Sequence, residues 1–148
     1  MRIHSDLCGA AWLLLACFLF SSCSSSGSEG LGALPKAVNA ADEGAAVQAL
    51  RTVSTAQTQA KAMRNSYADF DTLVQLGFLD RRFAGTNPNL RGYRFSVVAK
   101  PDEFAVNADP EPSQTAPTTG TRHFYLDSND NAIHVNLTGP ASRQDPVL

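Results

Sequence analysis

The 148-residue chain is 43% apolar and 18% charged, the composition of one modest globular domain rather than of a disordered or fibrous chain. Twelve Lys and Arg against 14 Asp and Glu leave a formal charge of -2 with no basic block, which argues against phosphate-driven nucleic-acid binding. The three cysteines, Cys8, Cys17 and Cys23, all precede the region that reads as folded, so no intrachain disulfide is expected to staple it.

The chain opens with Arg2 and an apolar run over residues 7–20, and polarity returns at Ser21. This is the three-part layout of an export signal, and its apolar stretch is shorter than the roughly twenty residues a helix needs to cross a bilayer. Phe20-Ser21-Ser22-Cys23 resembles the bacterial lipobox, in which a cysteine thiol accepts a diacylglycerol before cleavage. The reading is therefore residues 1–22 as a lipoprotein signal peptide and Cys23 as the lipidation site. Two or three acyl chains, at about 0.8 kcal/mol per buried methylene, would hold such a protein on a membrane. Ser24 after the cysteine leans the address toward the outer rather than the inner membrane of a bacterial envelope.

Residues 23–39, rich in Ser, Gly, Ala and Pro, read as a flexible tether spanning roughly 20 to 25 Å. A globular domain is expected over residues 40–148. Its first element is a helix over residues 42–64, where Ala46, Ala49 or Leu50, Val53, Ala56, Ala60, Met63 and Tyr67 recur at helical spacing. Asp42 and Glu43 fall in its expected first turn and Lys61 and Arg64 near its end, the signs the helix dipole favours. Gln48, Arg51, Thr55, Thr58 and Gln59 form the polar face.

Asp69 is placed to cap a short second helix carrying Phe70, Leu73, Val74 and Leu76, closed by Gly77. Phe78, Leu79 and Phe83 read as core plugs, and Asn87-Pro88-Asn89 as a turn. The period then becomes two. Tyr93, Phe95 and Val97 alternate with Arg94, Ser96 and Val98 in a strand, and residues 104–106 form a weaker one. Residues 107–120, with three prolines, read as a loop. Residues 122–127 and 132–137 read as a hairpin joined by Ser128-Asn129-Asp130-Asn131. Pairing Asp127 with Ala132 sets Tyr125 opposite His134 and places His123 diagonally on the same face. The fold class is α+β, a long N-terminal helix and a short helix packed on an antiparallel sheet of about four strands.

This order of fragments, the helix DEGAAVQALRTVSTAQTQ, then YADFDTLVQLGFLD, GYRFSVV and TRHFYLDSNDNAIHVNLTGPASRQDPVL, resembles the globular part of bacterial type IV pilin-like proteins, including minor pilins and pseudopilins. The resemblance implies a helix laid on an antiparallel sheet and a structural role beside pilus or secretion machinery. Family members carry a prepilin-peptidase site and an apolar assembly helix at the N-terminus. Cys23 and the serine-rich stretch occupy that place here, so the resemblance implies the fold without the filament-core helix.

Motifs for catalysis or cofactors are wanting: GxSxG, HExxH, CxxC, Walker and GxGxxG patterns do not occur. His123 and His134 could offer two imidazoles to a metal, but two ligands without a carboxylate or thiolate make a poor site. Residues 127–131 present oxygen donors at alternate positions, as a calcium loop does. Ala132 and Thr138 then stand where that loop needs Gly and Glu. Arg81-Arg82 reads as a solvated turn, and Asn136-Leu137-Thr138 as a chance glycosylation match. The expectation is a non-enzymatic lipoprotein with no catalytic residue, cofactor or metal, and no nucleic-acid partner. It would meet the membrane through its lipid and bind envelope, secretion or pilus proteins. The alternative is an envelope lipoprotein that captures a small molecule or glycan near the 107–120 loop.

Overall fold

The structure, a computed structural model, describes residues 30–111 and 120–148. The stretch read as a signal peptide, Cys23 and the centre of the Pro-rich loop lie outside the described residues. The elements in chain order are helix α1 (Gly30–Arg64), helix α2 (Phe70–Gln75), a 3₁₀ turn (Arg81–Phe83) and strands β1 (Asn89–Leu90), β2 (Tyr93–Ala99), β3 (Phe104–Pro110), β4 (His123–Asp127) and β5 (Ile133–Asn136). The five strands form one antiparallel meander in the order β1-β2-β3-β4-β5. The architecture is α+β. Among the described residues no helix is long and apolar enough to cross a membrane.

α1 begins at Gly30 rather than at residue 42, so residues 30–39, assigned by composition to a tether, are helical. The segment GLGALPKAVN mixes good helix formers, Leu31, Ala33, Leu34 and Ala37, with the Gly and Pro that make it read as a linker. Its apolar period starts only where the helix meets a core: Lys36, Ala37 and Val38 are exposed, and burial begins at Asp42. From there Ala46, Val47, Leu50, Val53, Ala56 and Ala60 form the buried stripe. Met63, expected to continue it, is 70% exposed. Lys61 fastens that end, its Nζ donating to the Pro101 carbonyl at 3.0 Å and to Asp102 at 2.8 Å in the β2–β3 turn.

Gln57 is fully buried in this stripe, a position the apolar pattern passes over. Its Nε2 donates to the Ala68 carbonyl at 2.6 Å and its Oε1 accepts the Ala68 N–H at 2.9 Å. One amide side chain thus satisfies both backbone groups of a buried loop residue, which would otherwise cost about 1–3 kcal/mol each. The chain is thereby set for α2. Asp69 caps it by accepting the Thr72 N–H at 2.8 Å, and Gly77, at a φ of 75°, ends it.

Alternation along the strands divides the sheet cleanly. Tyr93, Phe95, Val106, Ala108, Phe124, Leu126 and Ile133 are buried in the same core cluster as the α1 stripe. Phe83 bridges the layers, its ring 6.1 Å from Phe70 and 6.0 Å from Phe95. Two elements differ from expectation. β1 is a two-residue strand turned onto β2 by Arg91 and Gly92, both at positive φ, and it raises the strand count to five. β3 runs on to Pro110, taking in residues read as loop. Asn107 and Asp109 look loop-like, but both lie on the outer face, where each finds a polar partner. The β4–β5 register is as the four-residue turn predicts, with Tyr125 paired to His134.

Candidate functional site

The outer face of the sheet is where polar chemistry gathers. Arg94, Ser96, Asn107, Asp109, His123, Tyr125, Asp127, His134 and Asn136 alternate with the core residues and point to this side. Residues 139–148 cross it as a strap. Asn107 Nδ2 donates to the Ala141 carbonyl at 2.9 Å, and Ala141 is buried. The end of the strap then pairs with the edge of β5: the Val135 N–H donates to the Pro146 carbonyl and the Leu148 N–H to the Ile133 carbonyl, around a His134–Val147 bridge.

Two clusters hold the strap. In the first, Asp127 is 1% exposed and its carboxylate is fully engaged. Oδ2 accepts from the Tyr125 hydroxyl at 2.8 Å and from Arg143 at 2.6 and 2.7 Å, and Oδ1 accepts the Asn129 N–H at 2.8 Å. Burial alone would push this carboxyl up, but the bonds from Asn129, Tyr125 and Arg143 outweigh it and hold Asp127 below the ordinary carboxylate value. Burial raises the Tyr125 hydroxyl, and its bond to Asp127 adds to that.

In the second cluster both ring nitrogens of His134 face acceptors. Nδ1 lies 2.7 Å from the Asp145 carbonyl oxygen and Nε2 lies 2.9 Å from Asp130 Oδ2. A ring with two acceptors is best served by two protons, and the Asp145 carbonyl, then the Asp130 carboxylate, raise its pKa. Asp145 is fixed in turn by Ser142, through N–H at 2.7 Å and Oγ at 2.9 Å, and by Asn136 Nδ2 at 2.8 Å. Ser142 Oγ thus meets Asp145 rather than His134, and the Ser, His and Asp side chains form a clasp instead of a relay in which the imidazole takes a serine proton.

His123 and His134 share the face as expected, but the structure gives them different partners. His123 Nδ1 is 2.6 Å from Asp109 Oδ1. Among the described residues no group of three His, Cys, Asp or Glu is arranged to hold a metal ion. In the loop compared above with a calcium site, Asp127 and Asp130 turn inward onto the Asn129 and Ala132 N–H groups. Those bonds shape the hairpin turn.

A further cluster, unseen from sequence, closes the base of the Pro-rich loop. Glu43, placed by the longer helix well inside α1, accepts the Thr121 N–H at 3.0 Å and Arg122 Nε at 2.8 Å. Burial raises its carboxyl, and the Thr121 and Arg122 bonds bring it below the ordinary value. The macrodipole role expected of Asp42 and Glu43 therefore does not apply. Asp42 sits 3.6 Å from Arg91 instead. Tyr93 donates its hydroxyl to the Arg122 carbonyl at 3.0 Å beside Gly120.

Grooves lined by described residues include the following. One of about 560 Å³ runs between the polar face of α1, at Gln48 and Thr52, and Phe83, Leu90 and Arg91. Another, about 480 Å³, separates the α1–α2 connection from β2. The last, about 320 Å³, adjoins Tyr125 and Arg143 on the outer face. No protein-family model matches the chain, and no curated protein matches it in sequence.

Proposed function

We propose that this chain is a lipid-anchored protein of the bacterial cell envelope whose pilin-like domain works by binding other envelope proteins. The observation that carries the reading is the use of the outer-face polar groups. Asp127, Arg143, His134, Asp130 and Asp145 bond one another and hold the C-terminal strap, so the chemistry of this face is spent on building a surface. A long helix on an antiparallel meander supports the pilin-like assignment, and the Phe20-Ser21-Ser22-Cys23 pattern supports the anchor.

Fractionation of cells expressing the wild-type chain and Cys23→Ser tests the anchor. The wild type is expected in the membrane fraction and the variant in the soluble fraction with its domain folded; a variant that stays on the membrane overturns the lipid assignment. Crosslinking in intact cells tests the interaction role, with envelope, secretion or pilus proteins expected on the domain. The alternative is capture of a small molecule or glycan near the 107–120 loop; the 560 Å³ groove, lined by Ala45, Ala49, Phe83 and Leu90 with Gln48, Asp80 and Arg82, offers a second place for such a ligand.

A further inference from the structure

We propose that the uncovered half of β2 is a docking edge for an extended peptide segment carrying a carboxylate side chain. The inference rests on the interaction reading above and adds to it the place and the chemistry of the partner.

β1 covers only the start of β2, pairing at Tyr93 and Arg94. Hydrogen-bond parity fixes where the rest of β2 points. Glu111 N–H donates to the Gly92 carbonyl and Lys100 N–H to the Glu103 carbonyl, so the even-numbered residues between them face β3. Phe95 N–H donates the other way, to Pro88 of the β1 arm. By the same alternation the N–H and C=O groups of Val97 and Ala99 point away from β3, past the end of β1. No backbone partner for them occurs among the described residues.

An open strand edge normally carries protection, such as a proline, a bulge or an inward-pointing charge. Val97-Val98-Ala99 carries none of these, and Val98 is 64% exposed beside it. The groove of about 480 Å³ lies along this stretch, walled by Tyr67, Ala68 and Thr72 opposite Val97 and Ala99. Strands pair 4.7–4.9 Å apart, and a peptide laid there would exchange backbone bonds with Val97 and Ala99. Its side chains would alternate between the Ala68 wall and the exposed Val98.

Arg64 sets the charge of the occupant. It lines the groove, is exposed, and makes no hydrogen bond or close ion pair among the described residues, although its charge reaches Asp69, which the Thr72 bonds and then Arg64 hold below the ordinary carboxylate value. Asp69, the acidic residue of the same wall, is already committed to capping Thr72. A guanidinium at the lip of a backbone-pairing groove selects a carboxylate on the incoming strand.

The test uses the full-length protein in detergent, titrated with a cyclised hairpin peptide presenting the strand Thr-Val-Glu-Val-Thr, pre-organised to limit the ordering cost. Saturable binding is expected, with slowed amide exchange at Val97 and Ala99. N-methylating the presented strand should weaken it about fivefold or more, the worth of one net hydrogen bond. Ala99→Pro should do the same, since proline is tolerated on an edge whose N–H faces outward. Arg64→Glu should weaken the Glu peptide more than its Gln counterpart. Absence of saturable binding overturns the proposal, as does binding indifferent to N-methylation, which keeps the test decisive even if Ala99→Pro fails to fold. Concentration-dependent protection of Val97 and Ala99 without peptide also overturns it, by giving the edge to a second copy of the chain. A failed titration alongside envelope crosslinks in cells removes this edge while leaving the interaction role in place.

Discussion

The two faces of the same sheet are held by opposite means. Toward α1, Tyr93, Phe95, Val106, Phe124 and Leu126 are buried by apolar contact. One residue along each strand, Asn107, Asp127, His134 and Asn136 bind the C-terminal strap through hydrogen bonds and an ion pair, with the Tyr125 hydroxyl on Asp127 beside them. Apolar packing is sensitive to volume and almost indifferent to pH, whereas the strap depends on protonation states. The inner face should therefore govern whether the domain folds, and the outer face whether its last ten residues stay in place.

The largest effect is expected at the inner face. Phe95→Ala removes a fully buried ring in contact with Phe83 and should cost about 3–5 kcal/mol, read as a lower denaturant midpoint with an unchanged slope and little pH dependence. A pH-dependent loss of that size would break the distinction between the faces. Asp127→Ala is next, at about 3 kcal/mol, because Tyr125, Arg143 and the Asn129 N–H lose their common acceptor. Its signature should be local. Amide exchange at Val135 and Leu148, which mark strap pairing, should quicken more than exchange in β2 and β3. Equal acceleration everywhere would show that strap and core unfold as one unit.

Gly120→Ala probes the seam between the two. A Cβ there would lie 2.1 Å from the Tyr93 hydroxyl oxygen, and Tyr93 is fully buried with that hydroxyl on the Arg122 carbonyl. A cost of about 2 kcal/mol is expected from overpacking. Gly120→Ala with Tyr93→Phe should recover part of it, and failure to do so would point to the ring, whose Cζ and Cε2 the Cβ would also meet at 2.8 and 2.9 Å, rather than to the hydroxyl alone.

What could be read from sequence follows the same division. The inner face was legible, because apolar period alone places Leu50, Val53, Phe95 and Phe124, and a four-residue turn fixes the Tyr125–His134 register. The outer face was legible only in part. Its residues could be put on one side, but nothing local announces that Arg143 reaches Asp127 or that Asp145 receives His134. Long-range polar bonds also explain the misread β3, whose Asn and Asp weaken a strand only when their side chains lack partners. Gln57 escaped notice, and Glu43 was given a helix-dipole role instead of its real one, for the reverse reason: each is a polar residue on a buried helix face, rescued by backbone groups distant in sequence.

The smallest expected effect is also the most specific to the outer face. His134 has its folded-state pKa raised above 6.5 by the Asp145 carbonyl and Asp130, so its contribution is fully present below that value and is lost as pH rises through the higher folded one. The carboxylates run the other way. Asp127, Asp130 and Asp145 are held below 3.8, so theirs is present above that value and fades as pH falls through the lower folded one. The strap should be tightest from about pH 4 to about pH 6.5 and should loosen progressively as pH rises from there through the raised His134 pKa. Amide exchange at Leu148, corrected for the intrinsic rate, should quicken as His134 deprotonates, while exchange at core amides such as Val106 should not. His134→Gln should abolish that alkaline step, since a neutral amide has no proton to lose. If the step survives the substitution, another group governs the strap; if the Val106 amide follows the same curve, the two faces of the sheet are not independently held.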